Sequence, residues 1–166
     1  MGVFRTKEGK TAGGEGAAII RDPDHVSDGP GPYVMDAATL KGDDVVNVGG
    51  EDIGKIEAIM LDVASGKIAY AVLSFGGFLG MGSKLFAIPW SALTLDTTEK
   101  QFILDVSKDR LEKAPGFDKD HWPRMADRTW AADVHSYYDI TPYWEDEYGV
   151  PRDMRKPSRQ TDAPLA

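Results

Sequence analysis

IGKIEAIMLDVASGKIAYAVLSF, Ile53 to Phe75, is two apolar runs joined at Ala64-Ser65-Gly66. Two runs rich in β-branched residues around a Ser-Gly pair read as a β-hairpin. A short loop there needs a residue with positive φ, and Gly66 adopts one without a Cβ clash. In the first run the period-two rule puts Ile56, Ala58 and Met60 on one face and Ile59, Leu61 and Val63 on the other. In the second run Ile68, Tyr70 and Val72 share one face, and Ala69, Ala71, Leu73 and Phe75 share the other. Both faces are apolar. A strand with one wet face alternates apolar with polar residues, so this strand is expected to be covered on both sides. A small barrel with another element laid outside it meets that need. A buried helix would tolerate the same run, but Gly66 and Gly76-Gly77 bracket it at strand length.

Outward from the hairpin, further strands are expected at Val45–Val48, Lys84–Ile88, Leu93–Leu95 and Gln101–Val106. Gly54 interrupts a strand pattern, which predicts a bulge or a close backbone approach. Pro89 has no N–H for a ladder and ends its strand. Six short strands without an intervening helix indicate a mainly β fold, a small six-stranded antiparallel barrel. Ser107 caps a short helix over Lys108–Lys113, which stops before Pro115-Gly116.

The composition changes after this point. Phe117 to Tyr148 holds eight of the sixteen aromatic residues. Asp127 caps a helix in which Trp130, Val134, Tyr137 and Tyr138 form one stripe, and Thr141-Pro142 ends it. Rings of this size are not left in water, so the stripe lies on the barrel or on a partner chain. The expected organisation is a flexible N-terminal segment (1–37), a barrel domain (38–116), a helical aromatic tail (117–150) and a mobile C-terminus (151–166).

The chain has 166 residues, a net charge of −8 and no cysteine. An acidic chain repels phosphate backbones, so no nucleic-acid partner is expected. Without cysteine there is no disulfide framework, thiolate metal site or cysteine nucleophile. The longest uncharged stretch, Ile68 to Ser83, is sixteen residues with four glycines. A membrane span needs roughly 20 apolar residues, so no membrane insertion is expected. The N-terminus has no apolar signal region, and a cytoplasmic location is expected.

No catalytic constellation emerges. Gly77–Lys84, GFLGMGSK, has Ser83 before Lys84 and precedes a strand, unlike a phosphate-binding loop. His25, His121 and His135 fall on separate segments, so no metal site is expected. The acids Asp43, Asp44, Glu51, Asp52, Glu57 and Asp62 lack calcium-loop spacing and read as turn acids near lysines. Phe78, Leu79 and Met81 place large apolar groups on a loop tip, which reads as a contact surface.

Residues 40–113 resemble the PRC-barrel domain, the small β-barrel found in the cytoplasmic part of the photosynthetic reaction-centre H subunit and in a ribosome maturation factor. The matching pattern is the first strand, IGKIEAIMLD (Ile53–Asp62), SGKIAYAVL (Ser65–Leu73), FAIPW (Phe86–Trp90) and a closing hairpin before a short helix. The resemblance implies a binding or assembly module with no catalytic residues and no cofactor. The expected role is a self-associating interaction module, a homo-oligomer open to a heterologous protein partner. Its interface residues would be Phe78, Leu79, Met81, Trp90, Trp130, Tyr137, Tyr138 and Trp144. Two alternatives are a small-molecule or cofactor binder, with a pocket between barrel and tail lined by Trp90, Trp130 and Tyr137, and an accessory subunit of a photosynthetic or membrane-associated complex.

Overall fold

A computed structural model describes residues 16–20, 31, 33–76 and 82–145. The elements are β1 (Ala18–Ile20), α1 (Ala37–Leu40), β2 (Asp44–Val46), β3 (Asp52–Asp62), β4 (Lys67–Phe75), β5 (Lys84–Pro89), a 3-10 turn (Trp90–Ala92), β6 (Leu93–Asp96), β7 (Gln101–Leu104), α2 (Lys108–Glu112) and α3 (Arg128–Tyr137). All six strands expected from the sequence are present. The central hairpin turns at Gly66, with φ +74°. Gly66 N–H donates to Asp62 O (2.8 Å), and Ser65 N–H donates to the Asp62 carboxylate (3.2 Å).

The six-stranded antiparallel barrel needs correction. The strands form one seven-stranded mixed sheet, ordered β1-β6-β7-β2-β3-β4-β5, which hydrogen bonding does not close. β1 runs parallel to β6, and β2 runs parallel to β7. Only the three-residue turn Trp90–Ala92 joins β5 to β6, although they lie far apart in the strand order. The sheet must therefore curl. Its concave side holds one core, with Val45, Ile53, Ile56, Leu73, Phe86 and Phe102 all buried. The outer edge of β5 is covered by the chain at Phe117, which exchanges two backbone hydrogen bonds with Leu85 (2.8 and 2.9 Å). That cover removes an edge that could otherwise template aggregation.

Strict alternation fails in β3. Ile56 pairs with Leu73 and Ala58 with Val72, which leaves Glu57 as an extra residue. This bulge shifts the phase of everything after it. Ile59 joins Ile56 against the inner core, and Met60 turns to the outer cluster, opposite to the period-two expectation. Gly54 is the anticipated close approach: at φ +133°, a Cβ there would lie 2.2 Å from Ser74 O.

β4 is covered on both sides, as its sequence requires: Tyr70, Ala71, Val72 and Leu73 are fully buried. Ala71 and Leu73 face the inner core. Tyr70 belongs to a second cluster outside the sheet, with Ala69, Ala87, Ala131 and Val134. Ala131 and Val134 come from α3, so the aromatic helix lies on its own sheet. Asp127 caps α3, accepting from Thr129 N–H (2.9 Å) and Trp130 N–H (3.2 Å). Ser107 caps α2 through Arg110 N–H (3.2 Å). The two helices are tied together: Arg110 donates to Tyr137 O and to Asp139 (3.1 Å), and the Tyr137 hydroxyl donates to Arg110 O. No helix among the described residues is long and apolar enough to cross a membrane.

Candidate functional site

Two surfaces carry chemistry, a seam between barrel and tail and an apolar face beside β1. The seam is built around Tyr70. Its ring meets Trp130 edge-on at 5.5 Å, His135 at 5.4 Å and Tyr143 at 6.4 Å. Trp144 packs on His135 at 5.1 Å, and the Arg128 guanidinium lies 4.2 Å over the Trp144 ring. The Tyr143 hydroxyl donates to Asp62 (2.8 Å), fastening residues after α3 to the end of β3. That bond holds the Asp62 carboxyl below its ordinary value. Burial first, then the bond to Asp62, pushes Tyr143 up to about 12.

His135 is 1% exposed, and its Nδ1 sits 2.7 Å from Ala131 O. A carbonyl only accepts, so Nδ1 carries the proton. Burial lowers the His135 pKa, which keeps the ring neutral. Among the described residues the buried hydroxyls of Tyr70 and Tyr138 have no hydrogen-bond partner, and burial raises both pKa values.

A groove of about 440 Å³ opens along this seam, lined by Met60, Leu61, Tyr70, Met125, Arg128 and Tyr143 among others. A second lobe of about 340 Å³ shares Asp62, Arg128, Tyr143 and Trp144 with it and extends to Ser65 and Lys67. The pocket expected from the sequence would unite Trp90, Trp130 and Tyr137, and the structure separates them. Trp90 packs on Phe102 (5.9 Å), Trp130 on Tyr70, and Tyr137 on Tyr138 (5.2 Å) and Arg110. The tail reaches the barrel, but other side chains line the seam. Neither Arg128 nor Asp62 stood out in the sequence as a groove residue, because nothing local shows that the β3–β4 turn and the start of α3 meet.

On the other surface, Tyr33 and Val34 are 69% and 70% exposed, and Met35 is 38% exposed. They border a groove of about 380 Å³ whose floor includes Ile19, Trp90 and Leu95. Among the described residues β1 pairs only with β6, so one side of β1 is a sheet edge.

Of the expected interface residues, Phe78, Leu79 and Met81 lie outside the described residues, as does His25. Trp90 lies in the apolar groove. Trp130, Tyr137, Tyr138 and Trp144 pack against their own barrel or tail. His121 is exposed and far in sequence from His135. Among the described residues no group of three or more acids or histidines could hold a metal ion. The acids do local work instead. Asp44 pairs with Lys55, Glu51 accepts from the Asn47 amide (2.5 Å), and Asp52 accepts from Gly54 N–H (2.9 Å). Burial, then the neighbouring Asp44 charge, raises the Asp43 pKa.

The fold at the site is a small, curled mixed β-sheet over one core, with α3 packed on its other face. A family model for the PRC-barrel domain matches residues 33–111. Comparison with curated proteins gave no match.

Proposed function

We propose that the chain is a protein-interaction module that self-associates through the apolar face beside β1. One observation carries this reading. Tyr33, Val34 and Met35 stand exposed around an apolar groove, next to the edge of β1 that is unpaired among the described residues. Large apolar groups clustered at one place mark contact surfaces more often than scattered ones do. A sheet edge offers backbone donors and acceptors to another strand. A second copy brings the same edge and the same apolar patch, so a two-fold contact satisfies both at once. The PRC-barrel domain supports the general role of an assembly module. The tail is not needed for this contact, since its rings cover their own barrel.

The test is solution mass by light scattering on the full chain and on Val34→Asp. Val34 is largely exposed, so the substitution leaves the core alone. The expected result is a dimer for the parent and a monomer of unchanged melting temperature for the variant. Monomers in both samples across the micromolar range would sink the proposal.

A further inference from the structure

We propose that the groove between the β3–β4 hairpin and the aromatic tail binds a small monocarboxylate with an apolar body, its carboxylate on Arg128. The groove is of ligand size: at about 440 Å³ it falls within the range of small-molecule sites. Its two ends differ in chemistry. Met60, Leu61, Ala69, Met125 and Ala131 make an apolar inner end. Arg128 lines both lobes, with its guanidinium 4.2 Å over the Trp144 ring.

Arg128 makes no ion pair among the described residues. Its charge is therefore available, its contact with Trp144 restricts the side chain, and a planar carboxylate is the group that matches two parallel N–H donors. The ring also settles against a cationic ligand. Arg128 occupies the Trp144 face that an ammonium group would take.

Asp62 decides between anions. Its carboxylate lines both lobes and is kept ionised by bonds from Tyr143 and Ser65. A doubly charged phosphate would meet that charge, opposed by Arg128 and Lys67, and it has no hydrocarbon part to fill the methionine-lined end. A singly charged carboxylate would not be over-burdened, and its hydrocarbon part has the methionine-lined end to enter.

The probe is octanoate, with octanol as the uncharged control, titrated calorimetrically into the full chain at low salt. Saturable one-to-one octanoate binding is expected, roughly 10-fold tighter than octanol, as a charge-assisted pair at an exposed guanidinium gives. Arg128→Gln should bring octanoate down to the level of octanol and leave octanol unchanged. Ala126→Trp plugs the groove from an exposed position. It should abolish binding of both probes without lowering the melting temperature, which separates a lost site from a lost fold. Methyl shifts on octanoate addition should centre on Met60 and Met125. No saturable binding, equal affinity for the two probes, or octanoate binding that survives Ala126→Trp would each overturn the proposal. So would octanoate uptake that falls as self-association rises, which would assign the groove to a second copy.

Discussion

Gly54 and Gly66 both have positive φ, and they separate two costs of a side chain. At Gly66 nothing lies within 4 Å of an added Cβ, so Gly66→Ala meets only the torsional penalty. That is about 1 kcal/mol. At Gly54 the added Cβ would also strike Ser74 O at 2.2 Å, and the strand pair must open. Gly54→Ala should cost at least about 3 kcal/mol. Urea unfolding of the two variants checks the order, and equal losses would show that β3 and β4 are not this close. Tyr70→Phe has the opposite sign. It removes a buried hydroxyl that has no partner, so stability should stay level or rise by about 1 kcal/mol. A clear loss would mean that the hydroxyl has a partner. The close approach at Gly54 was legible because glycine inside a strand has few other uses. The bulge at Glu57 was not, since nothing in Lys55-Ile56-Glu57-Ala58 marks an extra residue.

Among the elements, the tail is where burial and charge meet. Residues after α3 are held by the Tyr143 to Asp62 bond and by the rings around His135. The folded His135 pKa is lowered, so the unfolded chain binds the proton more readily. Stability is therefore complete above the ordinary histidine value of about 6.5 and is lost as pH falls through it, until the folded form is protonated too. Between pH 7.5 and 5 stability should fall, read from denaturation followed by tryptophan fluorescence. His135→Phe should flatten the slope in that window. A slope that persists would place the titration elsewhere. A chain ending at Gly116 would strip the cover from Ala69, Tyr70 and Ala87, and it should aggregate rather than fold to a clean monomer. The six strands were legible because glycine or a turn brackets each one. β1 was not: Ala18-Ile19-Ile20 is three residues long, and its partner β6 lies more than seventy residues away in sequence. The parallel β2–β7 pairing that makes the sheet mixed is equally non-local. The aromatic stripe of α3 was visible in the sequence, but Tyr70 as its target and Arg128 over Trp144 were not.

For the whole molecule, a charge of −8 works against the self-association proposed for the apolar face. Two copies brought together repel through their summed fields, while apolar burial at Tyr33, Val34 and Trp90 is insensitive to screening. If the contact is apolar and the repulsion diffuse, added salt must tighten the dimer. An interface built on ion pairs would loosen instead. Sedimentation across 0.02 to 0.5 M sodium chloride, concentrations over which the Debye length falls from roughly 20 Å to about 4 Å, distinguishes the two. The expected dissociation constant drops several-fold over that range for the parent chain, and Val34→Asp stays monomeric throughout. Octanoate, bound at the seam on the other surface, should leave this equilibrium alone. A dimer that weakens with salt would move the interface to charged groups and away from the face beside β1.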